Sequence, residues 1–370
     1  MNYLSKIYLL LFSALFLSSC SGDAKSPGNE NSFCYWKTTF SFSPAEREMW
    51  KQVEANHLYI RYFDVDWNNN EQTTGPVGTI LCSDTLPCAH FTPCIFIANR
   101  VFEKSNRTDL DSLSLRIKRR MLDVNNSFAR TNYSDLWYGA DENGTDNAKE
   151  LLDKRYSDVL IDCDWTEKTS ENFFYFLERL KKDFPEKEIT ATLRLWQYKQ
   201  HEKAGIPPVK RCLLMCYNMQ TANDYNVENS IASLPELKKY VSGEKYPLKL
   251  DVALPIFNWA VLFRNERYVG LLGEVSKTDF ENNVLEYESA GENRYKLITD
   301  KVIGNFFARK GDEIRVEMIT ANELKKMSEH LKSEIDLAPD SRVTLFAWNE
   351  FYIKNYGTNE IKNIYTYFSK

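Results

Sequence analysis

The sequence predicts an α/β protein, a closed (β/α)8 TIM barrel with a small β-rich insertion after its seventh strand. Three observations carry that expectation. Eight apolar, strand-like runs are separated by helix-patterned segments or long crossovers, as in a parallel sheet covered on both faces. No Gly-rich phosphate loop follows the first run, which argues against the doubly wound open sheet that is the alternative. Acidic, amide and aromatic residues gather where the runs end, the end at which barrels place their sites.

Taken in order, residues 33–42 read as the first strand and lead into Ser43-Pro44-Ala45-Glu46, a capping box with proline at the first helical position. That helix should reach about residue 55. Residues 57–66 form the second strand, 68–90 a long loop rich in Asn, Thr, Gly and Pro, and 94–102 the third strand. A helix over 109–122 follows, then a stretch without clear period over 124–144 and a short helix over 146–155. Strand four spans 158–165 and is followed by a helix over 170–183; strand five spans 188–198 and strand six 211–218. Ser233 caps the next helix, 248–257 is strand seven, Thr320 opens a helix reaching 334, 341–348 is strand eight and 359–368 the closing helix. The segment 264–318 is too long for a βα loop and alternates in short runs, so it reads as the insertion or a lid over the barrel mouth.

Composition is that of a globular chain, with 370 residues, 43% hydrophobic, 27% charged and a net charge of -5. That balance gives no general attraction to nucleic acid. The basic runs at Lys118-Arg119-Arg120 and Lys325-Lys326 lie on helices as solvated faces, without interleaved aromatics. Tyr 21, Phe 22 and Trp 8 suit carbohydrate stacking as well as an ordinary core. No Cys-x-x-Cys pair occurs, and His57, His90, His201 and His330 are scattered, so neither a metal nor another cofactor is expected.

The N-terminus carries Lys6 and an apolar run over 7–17, too short for a permanent span and suited to a signal-peptide core. It ends in Leu17-Ser18-Ser19-Cys20, which resembles the lipobox of bacterial lipoproteins. The resemblance implies residues 1–19 as signal peptide, lipid attachment at Cys20 and a flexible tether over 20–32, with the barrel and its insertion filling 33–370. It also implies export to the cell envelope and a membrane partner, the outer membrane in preference. In an exported chain a disulfide among Cys82, Cys88 and Cys94, or with Cys34, is an open alternative.

The most pointed stretch is Asp162-Cys163-Asp164-Trp165-Thr166-Glu167 at the end of strand four. Residues i and i+2 of a strand share a face, so Asp162 and Asp164 point together and share the cost of a charge held against an apolar wall. With Met215, Tyr217 and Trp348 at the ends of strands six and eight, this resembles the family 18 glycoside hydrolases and their non-catalytic relatives. The same chain is similar to an uncharacterised group of bacterial lipoproteins with the barrel.

The resemblance implies a glycan ligand, with acid or stabilising roles for Asp162 and Asp164 and Glu350 as an alternative acid. Asp64, Asp66, Arg194, Gln197, Tyr217, Asn218, Trp259 and Trp348 would line the sugar site. Two departures stand out. Thr166 occupies the position of the family's acid, with Glu167 one residue late, and Asn218 stands where an Asp would orient an N-acetyl group. The expectation is therefore a barrel that binds and can hydrolyse a glycan, against the alternative of a glycan-binding or scaffold lipoprotein that has lost the acid. A purely structural envelope protein would have no cleft at the mouth.

Overall fold

The computed structural model describes residues 29–139 and 141–368. The signal peptide, most of the tether and Cys20 lie outside the described residues. Eight parallel strands form the barrel: Glu30–Tyr35, His57–Asn68, His90–Ile97, Asp158–Asp162, Glu188–Arg194, Arg211–Met215, Lys249–Pro255 and Arg342–Phe346. Each pairs in parallel with the next, and the first pairs with both the second and the eighth, so the sheet closes. The first strand begins at Glu30, ahead of residue 33, because Glu30, Asn31 and Ser32 already pair with Arg342, Val343 and Thr344.

Local chemistry sets the helix starts. Ser43 and Glu46 form the reciprocal cap of the helix Pro44–Gln52, and Ser233 and Thr320 cap Leu234–Tyr240 and Ala321–Glu334. Elsewhere tertiary packing overrides the pattern. The third strand ends at Ile97, and residues 100–102, assigned to it from sequence, belong to the short helix Arg100–Lys104. The helix expected over 109–122 runs Arg107–Asn132. Its last turns bury Val124, Phe128 and Ala129, and Phe128 packs on Phe40, Tyr62 and Phe91 at 5.2, 5.5 and 6.3 Å. The long 68–90 loop contains a strand, Thr73–Val77, which folds back antiparallel on the end of strand two.

The insertion is a five-stranded antiparallel sheet with its own small core, centred on Leu262, Leu272, Phe280, Tyr295 and Ile314. It starts at Trp259, before residue 264, because Trp259 to Phe263 already pair with Glu317 to Glu313. It is no loose lid. The buried Arg315 donates to Glu317 at 2.7 Å and to the carbonyls of Ala222, Asp224 and Tyr225 at 2.8, 2.7 and 3.2 Å. Glu317 accepts in turn from Ser230 N–H at 2.7 Å. These bonds fasten the insertion to the loop after strand six.

The barrel interior is polar at its N-terminal end. Arg342 donates to Asp158 at 2.7 Å, Tyr59 to Asp251 at 2.9 Å, and Arg211 to Asp251 at 2.6 Å. Thr92 donates to Asp158 at 3.0 Å and lies 3.0 Å from His57 Nε2, whose Nδ1 is 2.8 Å from Ser32. Burial holds His57 well below the usual imidazole range, so it stays neutral, donating through Nε2 to Thr92 and accepting through Nδ1 from Ser32. Each of these charges and polar groups has a partner, as a buried layer requires.

Candidate functional site

The floor of the opposite, C-terminal end is Asp162. Strand four ends there, and the parity that turns Asp158 inward also turns Asp162 inward. It is 8% exposed and accepts one hydrogen bond, from Thr192 on strand five at 2.8 Å. Its other oxygen has no hydrogen-bond partner among the described residues. Burial raises its carboxyl to about 7; Thr192 opposes the rise, the charge of Asp164 adds to it, Arg194 opposes it and Asp64 adds to it. Asp164, Arg194 and Asp64 are the charged side chains that act on it most strongly.

Asp164 stands above, half exposed, and is held by Arg194 at 2.9 Å; Arg194 also reaches the Asn218 carbonyl at 3.5 Å. Asp64 is forked by Arg61, which lies over the Trp36 ring at 5.9 Å. Asp66 is forked by Arg100, whose hydrogen bonds hold it below the usual carboxylate range. The acids of strands two and four thus each carry an arginine, except Asp162.

Facing the charged arc is a continuous aromatic belt. Trp36 contacts Phe346 at 5.7 Å, Phe346 stacks on Tyr217 at 4.9 Å, Tyr217 meets Phe257 edge-on at 5.9 Å, and Phe257 meets Trp259 at 5.2 Å. Trp259 is fixed by Glu317, which accepts from its indole N–H at 2.9 Å. Burial keeps the Tyr217 phenol protonated, with Cys34 and Asp162 adding to the effect. Its hydroxyl makes no hydrogen bond among the described residues.

Two expected residues fall elsewhere, and a third is committed to a partner. Trp348 is 1% exposed, packed between Phe33, Phe42 and Trp50, with its indole N–H donated to Glu46. It is a core residue; the chain turns after Phe346, so the strand's inward parity presents Phe346 at the mouth instead. Gln197 is fully buried, its amide oxygen accepting from Arg194 N–H at 2.7 Å and its amide nitrogen donating to the Trp165 carbonyl at 2.9 Å. It braces the turn after strand five and has no end free for a ligand. Glu350 opens the helix Glu350–Tyr356 and is paired with Lys354 one helical turn away.

Trp36, Phe346, Phe257 and Arg61 were missed, although inward alternation through Cys34 to Trp36 and through Thr344 to Phe346 is a usable signal. The acid position is firmly taken. Thr166 N–H donates to Thr169 Oγ1 at 2.9 Å, the two hydroxyls are 3.3 Å apart, and Thr169 donates to Asn99 at 2.7 Å. Glu167 lies exposed in the following turn. The seven described cysteines are all free thiols, which corrects the expected disulfide; Cys34, Cys94, Cys163, Cys212 and Cys216 are buried with the barrel.

The burial of Trp348 sets a test. Trp348→Ala is expected to cost about 3–5 kcal/mol of stability in urea denaturation while leaving ligand affinity of the folded fraction unchanged; a selective loss of affinity would return it to the site.

The fold and mouth define a (β/α)8 barrel with a half-charged, half-aromatic opening. No protein-family model matches the chain, and no curated protein matches it. Among solved structures it is similar to the Bacillus cereus spore cortex-lytic enzyme SleL, at 11% identity and a TM-score of 0.47, covering 93% of this chain and 75% of that one. It is also similar to the xylanase and alpha-amylase inhibitor protein XAIP-II from Scadoxus multiflorus, at 9% identity and 0.36, covering 92% and 98%. A third is the Legionella pneumophila ChiA C-terminal domain, at 10% identity and 0.35, covering 91% and 98%.

Proposed function

We propose that this protein is an envelope lipoprotein, anchored through Cys20, that binds a glycan at the barrel mouth. The observation that carries the reading is the pairing of the Trp36 to Trp259 belt with the Asp162, Asp164 and Arg194 arc. A sugar ring offers an apolar face and a rim of hydroxyls, and this opening offers rings on one side and hydrogen-bonding charges on the other. The sequence resemblance to family 18 supports the same ligand class. Binding without that family's acid step is the better supported form, because Thr166 is tied to Thr169 where the acid would stand.

A second reading, hydrolysis with Asp162 as the acid, is favoured by one observation: its carboxyl is raised to about 7 and keeps a free oxygen. It would then act from the base of the mouth, with Asp164 above it as the charged partner.

The two are separated by presenting peptidoglycan, chitin-like and N-glycan fragments and reading binding and product release together. The expected result is saturable binding with no product, weakened tenfold or more by Asp164→Ala or Tyr217→Ala. Product release that Asp162→Asn abolishes while binding persists would establish the hydrolase reading instead. No binding by any fragment would sink the proposal.

A further inference from the structure

Beside the mouth, between the ends of strands five and six, lies a pocket of about 290 Å³. Arg194, Tyr217 and Asn218 form the wall it shares with the mouth, and on the far side, with the apolar Leu195 and Met219, stand Trp196, Gln220, Thr221 and Tyr240. Nothing in the family motifs pointed to these four residues. Trp196 sits on the helix Leu195–Lys199, Gln220 and Thr221 on the loop after strand six, and Tyr240 at the end of the helix Leu234–Tyr240.

Two features distinguish this pocket from an ordinary surface hollow. Its two rings are half-buried yet keep their polar atoms uncommitted: the indole N–H of Trp196 and the hydroxyl of Tyr240 make no hydrogen bond among the described residues. And its loop is held in place from behind. Arg315 grips the carbonyls of Ala222, Asp224 and Tyr225, and Met219 and Gln220 bond through their backbone N–H groups to Ile231 and Ser230 at 3.2 Å each. A pre-formed concavity with half-buried rings whose polar atoms are free suits a polyhydroxylated ring.

The charge of the pocket narrows the ligand. No carboxylate lines it, and its one cation, Arg194, is already neutralised by Asp164 at 2.9 Å. A sugar carrying a carboxylate would find no uncompensated partner there.

We infer that the Trp196–Tyr240 pocket is a second sugar subsite, taking a neutral ring of the same chain whose neighbouring ring lies at the mouth. The ligand is then an oligosaccharide of at least two rings, and Arg194 marks the junction between them. This rests on the glycan reading above. It also gives the insertion a role, since the bonds of Arg315 fix the loop on which half of the subsite is built.

Calorimetric titration of the full chain with N-acetylglucosamine and its β-1,4 tetramer, and with short and long peptidoglycan and N-glycan fragments, tests it. The longer member of a pair is expected to bind at least tenfold tighter. Trp196→Ala and Tyr240→Ala should each lower its affinity about tenfold, the contribution of one stacked ring, and leave the shorter ligand unchanged. Thr221→Trp, at an exposed position that fills the pocket without touching the core, should block the longer ligand alone and serves if Trp196→Ala fails to fold. Length-independent binding, or equal losses for short and long ligands, overturns the subsite and leaves the mouth reading intact. Absence of binding by every saccharide overturns both.

Discussion

Replacing Asp162 by asparagine is expected to stabilise the protein at pH 8 and to leave it unchanged near pH 4. The carboxyl is buried, has one hydrogen bond and titrates at about 7 in the fold, against 3.8 for an ordinary aspartate. The folded state therefore holds the proton more tightly than the unfolded state. Its contribution is fully present below about pH 4, is lost as pH rises toward 7, and above that leaves an ionised group in a buried position with one hydrogen bond. A carboxyl moved that far costs on the order of 4 kcal/mol once charged. Asparagine keeps an oxygen for Thr192 and carries no charge at any pH. Urea denaturation at pH 4, 6 and 8 should show the two proteins converging at the acid end and the variant ahead at the alkaline end. A variant equal to or weaker than the parent at pH 8 would mean that Asp162 is ionised and well solvated.

A destabilisation as large as that of Trp348→Ala is expected from Arg342→Met. Arg342 donates to Asp158 through two nitrogens, to Tyr59 and Thr92, and to Glu30 at 2.8 Å. Its removal leaves Asp158, which is 6% exposed, as a buried anion with only hydroxyl partners. Breaking one side of such a pair typically costs about 3–5 kcal/mol. Adding Asp158→Asn should restore part of that loss, since it removes the stranded charge while keeping an acceptor for Thr92. A loss below about 1 kcal/mol in the single variant, or no recovery in the double, would show that water reaches the barrel floor and that the network is not a dry one.

Most of the barrel was readable because its strands are apolar runs bounded by polar ends and its helices open with recognisable caps. Ser43, Ser233 and Thr320 cap where their spacing to a following Glu predicts. The last turns of the helix Arg107–Asn132 were invisible because Val124, Phe128 and Ala129 owe their helical state to the aromatic cluster they cover. At the mouth, Asp162, Asp164, Arg194, Asp64 and Tyr217 are brought together as strand parity and barrel closure imply. Trp348 and Gln197 misled for one physical reason: the chain turns at the strand end, after which alternation no longer tells which way a side chain points. Trp36 and Phe346 were overlooked although they lie within reach of that alternation, because a terminal tryptophan drew the assignment. The pocket at Trp196 and Tyr240 could not be read at all, since it is assembled from a loop whose position is set by an arginine some ninety residues further along, Arg315 bonding Ala222, Asp224 and Tyr225 at sequence separations of 93, 91 and 90.

The first strand also fixes a direction. It begins at Glu30 beside Arg342, at the N-terminal end of the barrel, and runs to Tyr35 and the aromatic belt at the mouth. Between Cys20 and the first described residue, Asn29, lie nine residue steps, which reach at most about 30 Å when fully stretched. Were Cys20 the anchor proposed above, the tether would join the barrel at the end opposite its opening, so the leash and the ligand would not compete for the same face.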